Sequence, residues 1–444
     1  MSVVILLIVS AIALLYFWIQ RNYNYWLNRG FLSAPTVFPF GSIKGVAREF
    51  TAAECLNRFY QKFKGKAPAA GFFFFVSPTL MPMDPELIKN LLVRDFSSFH
   101  DRGIYYNKKD DPLSANLLAL EGAEWRERRV KLTPIFTSGK MKMMFEIVNS
   151  IGEKCVSAVD KELKISSDLE MKEFLSKFTT DVIGNVAFGI ECNCLEDPNT
   201  EFRKLGQKIF NRTPYEFLRF FVSLAFPKIS RKLGIPLLSV EPANFFMDTF
   251  LQTLKYRESH KEVDRNDFVQ LLSELKKSGS YTDTELAAES FVVYAAGFET
   301  SSTLLTFCCY ELALNQDIQE QLRDELKSRI EDNDGKLTYD LLFDLEYLDM
   351  VINETLRKYP PIPQILRKCT AAYKIPGTEL VIEKGTTIQF PIYSLHHDSE
   401  YYPDPETFDP QRFTPDNIKA RQPFTFLPFG EGPRKFFLLI QKIE

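Results

Sequence analysis

Residues 282–314 read TDTELAAESFVVYAAGFETSSTLLTFCCYELAL. Thr282 followed three residues later by Glu285 is a capping-box signature, so a helix is predicted to open here and to run to about Leu314. A run this long and apolar could cross a bilayer, and Phe291 to Ala313 is the stretch to weigh. Glu299, Thr300, Ser301 and Ser302 stand at its centre, where a charge facing lipid is costly, so a helix buried through a large protein core is the better reading. At that centre Ala296-Gly297-Phe298-Glu299-Thr300-Ser301 sets a helix-weakening glycine beside a carboxylate and a hydroxyl. Gly297 costs about 1 kcal/mol against alanine in a helix interior. Close packing of a neighbouring helix is one reason for it. The other is room for a ligand beside a loosened turn, with Glu299 and Thr300 moving protons to that ligand.

Working outward, Leu345, Leu348, Ile352, Leu356 and Tyr359 recur at helical spacing and stop at Pro360-Pro361. This helix carries Glu354 and Arg357 three apart, which read alone are a surface pair worth about 0.2–0.5 kcal/mol. From Glu54 to Gly335 the pattern is mostly helical, and Gly71 to Val76 and Thr386 to Ile392 are predicted to be extended. No repeat, low-complexity run or linker divides the chain after about residue 46. The fold class is mainly α with small β-sheets.

Apolar residues make up 45% and charged residues 25% of the 444, the balance of a folded protein and not of a disordered one. A net charge of −4 lacks the basic footprint of a nucleic-acid binder. The seven cysteines are too sparse for a disulfide scaffold and read as reduced thiols. Cys192 and Cys194, with His100, His260, His396 and His397, match no zinc spacing, and core thiols and ordinary surface imidazoles are the reading adopted.

Val3 to Ile19 is apolar apart from Ser10, long enough to approach the hydrocarbon thickness. No basic region precedes it and no small-residue cleavage site follows, so residues 1–20 are predicted to be an uncleaved transmembrane anchor. Arg21, Arg29, Lys44 and Arg48 follow the span, which places the remainder in the cytosol and the sequons at Asn211 and Asn353 out of reach of glycosylation. Tyr23, Tyr25 and Trp26 stand where an aromatic belt would lie, and residues 21–45, with Pro35, Pro39 and Gly41, read as a stiff hinge.

These pieces, in this order, resemble the cytochrome P450 superfamily of haem-thiolate monooxygenases. Trp125-Arg-Glu-Arg-Arg129 resembles its haem-propionate helix, with Trp125 and Arg129 at the contacting positions. Ala296-Gly297-x-Glu299-Thr300 is similar to its oxygen-activating turn, with Glu299 and Thr300 as the catalytic pair and Ala296 and Gly297 beside the haem. Glu354-x-x-Arg357 with Pro410-Gln-Arg412-Phe413 resembles its buried Glu–Arg–Arg triad, and Arg367 takes the place of another propionate-binding arginine. Phe96 to Gly103 and Lys131 to Lys142 look like the insect family-six microsomal members. The resemblance implies the cytochrome P450 fold, haem b as cofactor, and NADPH electrons delivered by NADPH–cytochrome P450 reductase, with cytochrome b5 as a further partner. It implies a lipophilic substrate contacted by Phe291, Tyr294, Ala295, Ile362 and Ile365. It also implies the endoplasmic reticulum membrane, the catalytic domain on its cytosolic face, and a reductase-facing basic cluster of Arg126, Arg128, Lys131, Lys140 and Lys142.

Phe429-Gly430-Glu-Gly432-Pro-Arg434 matches the haem-binding loop, with Phe429, Gly430 and Arg434 as cofactor contacts. The family then has cysteine two residues on and glycine two further; here Phe436 and Leu438 fill those slots. The resemblance therefore implies that the axial ligand is missing, that the domain over 46–444 is incomplete at its C-terminus, and that this polypeptide is inactive. A shifted frame, retained intron or alternative exon after Arg434 is the expected origin.

Overall fold

The computed structural model describes residues 2–46, 48–260, 265–277, 279 and 281–435. Helices dominate, and the chain forms two compact units. The first gathers the described residues of 1–103, 362–407 and 415–435; the second gathers those of 104–361 and 408–414.

In the first unit the N-terminal helix runs Ser2–Tyr23, 22 residues or ~33 Å at the usual rise. Val4 to Leu7, Leu14, Leu15 and Phe17 point outward and are exposed. The aromatic-belt reading of Tyr23 and Trp26 is corrected here. Both are buried, and the Trp26 indole Nε1 donates to the Phe72 carbonyl at 3.2 Å, because the chain after the helix folds back onto the sheet. Ala34 N–H donates to Gly71 O at 2.9 Å, so the 21–45 stretch packs as part of this unit.

All described strands belong to the first unit. They are β1 (Ala69–Phe74), β2 (Ser77–Pro82), β3 (Ile365–Lys368), β4 (Tyr373–Lys374), β5 (Val381–Ile382) and β6 (Thr387–Phe390). β1 and β6 fall on the two stretches expected to be extended. The main sheet has the order β1-β2-β6-β3, with β2 and β6 parallel and the other pairs antiparallel, while β4 and β5 form a separate pair. Phe72, Phe73, Leu80, Ile388 and Phe390 are buried and form its core with Trp26.

The second unit is built on the helix read first. It spans Asp283–Leu314, and Thr282 caps it as expected: its Oγ1 accepts from Glu285 N–H at 3.3 Å, and Glu285 accepts from Thr282 N–H at 2.8 Å. By length and composition the helix could cross a membrane. Its surroundings make it a core helix. It packs along Met171–Phe188, which is buried from Phe174 onward apart from Lys177, and against Val240–Ser259 and Glu346–Lys358. Its Glu289 and Glu311 carboxylates are buried against Arg128 and Lys358. Phe188, Phe202, Phe246, Phe250 and Tyr294 fill the space between the helices with edge-on and tilted ring contacts.

Candidate functional site

The central helix passes through Gly297 as unbroken α-helix, so the loosened turn is not seen; Gly297 is buried and Ala296 is exposed. The Thr300 hydroxyl bonds back to the Ala296 carbonyl one turn earlier, which occupies its proton within the helix. The Thr179 hydroxyl of the neighbouring helix donates to the Phe298 carbonyl at 3.1 Å. Glu299 is half-exposed and held by Lys172 Nζ at 2.8 Å; the same ammonium donates to Ser302 Oγ and Thr303 Oγ1 at 2.9 and 2.8 Å. Glu299 and Thr300 are thus on one turn, but the acid is tethered by a lysine that sequence reading missed.

Trp125 and Arg129 lie on the helix Gly122–Leu132, with Trp125 buried and Arg129 half-buried, its guanidinium pushed below its ordinary pKa by desolvation. Arg128 does not belong to a surface cluster, a second correction. It points inward, where its Nη1 meets Glu289 at 3.0 Å and its Nη2 meets Glu285, with the Tyr281 ring 5.0 Å from its guanidinium carbon. Glu289 Oε2 accepts from Leu117 N–H at 3.1 Å, and burial pushes its carboxyl up to about 7 despite Arg128. Lys131 and Lys142 are paired with Glu127 and Asp340, which further dilutes the basic patch.

The triad comes together. Arg357 clasps Glu354 with Nε and Nη2 at 2.7 and 2.8 Å, both side chains fully enclosed, and Arg412 Nε stands 3.5 Å from the same carboxylate. Asp409 N–H adds a fourth donor at 2.9 Å. Burial raises the Glu354 carboxyl above its ordinary range even so. The surface-pair reading of Glu354–Arg357 is overturned by this enclosure.

Of the expected substrate contacts, Phe291 and Tyr294 are core residues. Tyr294 has no exposed surface and lies among Phe188, Phe202, Phe246 and Phe298, because its helix turns that face toward the neighbouring helices. Ala295 and Ile362 are half-buried, and Ile365 is buried.

In the first unit, residues 424–435 form the glycine loop. Leu427 N–H donates to the Nε2 of buried His396 at 2.9 Å, which fixes that imidazole with its proton on Nδ1. Phe429 and Gly430 are buried, and Gly432 holds φ +77 where an added Cβ would lie 2.1 Å from the Leu92 carbonyl oxygen. Only glycine passes there. Arg434 is buried, 3.6 Å from Asp101, and its carbonyl accepts from Arg102 Nη2 at 2.8 Å. Arg102, which the sequence reading passed over, and His396, which it took for a surface imidazole, are positioning residues; His396 is enclosed by Leu427 and the Phe426 ring, and His397 is buried as well. The signal for Arg102 was its place beside Asp101 in an already quoted motif.

Arg367 decides whether the first unit suits an anionic group. Only 1% of it is exposed, its Nη1 donates to the Leu366 carbonyl at 2.9 Å, and its Nε and Nη2 have no hydrogen-bond partner among the described residues. Desolvation presses its pKa down to about 10. A buried cation with two idle donors calls for an anion, and a porphyrin carboxylate supplies one. The thiolate side does not fit. Phe436, which the family resemblance sets in the axial slot, lies outside the described residues, and a phenyl ring has no lone pair to give. Burial raises the pKa of Cys55, Cys155 and Cys369 to about 11 and of Cys308 to about 12, the opposite of a ligating thiolate.

A mainly helical fold with small sheets and an enclosed Glu–Arg–Arg cluster is the frame of the haem monooxygenases. A family model described as Cytochrome P450 matches residues 34–435, and the chain belongs to the cytochrome P450 family, among the insect family-six type. It is 45% identical over 437 residues to "Probable cytochrome P450 6a13" of Drosophila melanogaster, covering 98% of this chain and 88% of that protein. Cytochrome P450 6a2 of Drosophila melanogaster is 42% identical over 98% of this chain and 89% of its own length. Cytochrome P450 6A1 of Musca domestica is 41% identical over 95% and 84%.

Proposed function

We propose that this polypeptide keeps the scaffold, porphyrin-carboxylate contacts and membrane placement of a monooxygenase of lipophilic small molecules, but does not itself insert oxygen. In the parent design a haem iron ligated by cysteine thiolate activates O2 with NADPH electrons relayed by a reductase. Supporting that ancestry are the family membership, the enclosed Glu354–Arg357–Arg412 network and the unsatisfied Arg367. The observation that carries the inactive reading is the identity of residue 436: the motif is intact to Arg434 and then has phenylalanine where a sulfur must donate.

The N-terminal helix is read as the anchor, with the rest of the chain on the cytosolic side of the endoplasmic reticulum membrane. Electrons would come from NADPH–cytochrome P450 reductase, with cytochrome b5 as a second donor. Substrate class is inferred from the family membership and from apolar side chains such as Ile362 and Ile365.

The test co-reconstitutes the chain with an insect microsomal reductase and a panel of lipophilic substrates, and measures product formation. The expected result is no turnover from the unmodified chain. Hydroxylated product above the reductase-only background, from the chain with Phe436 in place, would overturn the inactive reading.

A further inference from the structure

A cavity of about 450 Å³ lies within the first unit, where the last turns of the N-terminal helix meet residues 33–36. Phe17 and Leu27 wall it on the apolar side, while Gln20, Arg21, Asn24 and Thr36 bring polar groups to it. Among the described residues none of these four polar side chains makes a hydrogen bond or ion pair. Glu383, a carboxylate of this unit, accepts from Arg29 at 2.9 Å and from the Tyr25 hydroxyl at 3.2 Å. Arg21 is a cation at the cavity with no ion-pair partner among the described residues.

Apolar side chains face outward at the lining residue Leu27 and just after the lining residue Thr36. Leu27, Val37, Phe38 and Phe40 are 62, 42, 43 and 45% exposed, and the Phe38 ring meets Tyr16 of the helix edge-on at 5.3 Å. Phe38 thus adjoins the exposed apolar surface of the helix itself. Single exposed apolar residues need no explanation, but several of them beside an exposed apolar helix mark contact with another apolar phase. A cation with amide and hydroxyl donors next to these apolar side chains matches the chemistry of a phospholipid, a phosphodiester joined to acyl chains.

We propose that this cavity binds the headgroup of one anionic phospholipid of the cytosolic leaflet, the phosphodiester on Arg21 with Asn24 and Thr36 as further donors, and the acyl chains along Phe17 and Leu27. The inference rests on the anchor reading of residues 1–20. A free phosphate shares the headgroup chemistry, but the apolar lining residues Phe17 and Leu27 favour the lipid.

The test uses the full 444-residue chain in bilayer nanodiscs of phosphatidylcholine and phosphatidylserine in equal amounts. Retained lipid is counted by native mass spectrometry after detergent release, and alkaline carbonate washing of the expressing membranes is run in parallel. The expected result is one retained phosphatidylserine per chain, reduced about fivefold by Arg21→Gln, the equivalent of the ~1 kcal/mol one basic residue contributes beside an anionic surface. Arg29→Gln, outside the cavity, leaves retention unchanged. Equal retention by the Arg21→Gln variant, or no preference for phosphatidylserine, in a chain that stays with the washed membrane, overturns the site while leaving the anchor intact. Displacement of the lipid by inorganic phosphate alone overturns the lipid assignment. Release of the unmodified chain by carbonate overturns the anchor reading, and the site with it.

Discussion

Replacing Glu289 by glutamine should remove a pH dependence that the parent chain carries. Glu289 is fully buried on the central helix and faces Arg128 from the Trp125 helix, the Leu117 N–H from the preceding loop, Glu285 one turn away, and the Tyr281 ring. Glu124, 3.8 Å from Arg128 and paired with Lys108, and Lys131, paired with Glu127 beside the Tyr281 ring, are further charges on that side. The Glu289 carboxyl is raised from 4.5 to about 7 by burial, with Arg128 opposing. A folded-state pKa above the unfolded one means that the folded state holds the proton more tightly. The group's contribution is fully present below pH 4.5 and is lost as pH rises through 7. At 1.36 kcal/mol per pH unit the loss comes to ~3 kcal/mol. For a chain of this length that is a shift of several degrees at most. The assay is thermal unfolding of the detergent-solubilised chain from pH 5.5 to 8 at one scan rate, read as the difference between Glu289→Gln and parent so that other titrations cancel. The glutamine variant gains on the parent as pH rises. Arg128→Met removes the opposing cation, so it is destabilised by ~3–5 kcal/mol at pH 8 and recovers at acid pH, where the stranded carboxyl takes up a proton. Parallel curves for Glu289→Gln and parent, or an Arg128→Met deficit as large at pH 5.5 as at pH 8, would refute this reasoning.

Glu354→Ala strands Arg357, which has no exposed surface, and should cost ~3–5 kcal/mol, while Arg412→Ala, whose partner is 3.5 Å away, costs less; unfolding temperatures rank the two. Gly206→Ala would place a Cβ 1.8 Å from the Tyr294 hydroxyl, an overpacking cost of about 1–3 kcal/mol, and adding Tyr294→Phe recovers most of it, because that hydroxyl has no hydrogen-bond partner among the described residues. Arg367→Met should raise the unfolding temperature of haem-free protein, by removing a buried guanidinium with two idle donors, and lower haem retention after reconstitution, measured as haem per chain.

The features legible in the sequence are the ones that local chemistry determines. Thr282 and Glu285 are three apart, so the cap and the helix could be read directly, and so could the stop at Pro360. The triad needed Arg412, distant in sequence, and only a motif resemblance supplied it. Arg128 was misplaced because a charge-rich helix was read as a uniform basic surface, although Arg128 lies three residues from buried Trp125 and therefore on the same face. Its partner Glu289, 161 residues away, was visible only as a carboxylate inside an apolar run. Trp26 was read from its neighbours' composition, whereas its acceptor on β1 is 46 residues away. β2 escaped because Pro78 and Pro82 argue against a strand, yet β2 pairs on both sides, meeting β6 at Thr79 and Leu80 between the two prolines.

The direct measurement is the carbon-monoxide difference spectrum of the reduced 444-residue chain in membranes, recorded beside its Phe436→Cys counterpart. A chain with phenylalanine at 436 should show no thiolate-type Soret band, and sulfur restored to that position should bring the band in. The same band from the unmodified chain would mean that another side chain grips the iron, and would contradict the reading of residue 436.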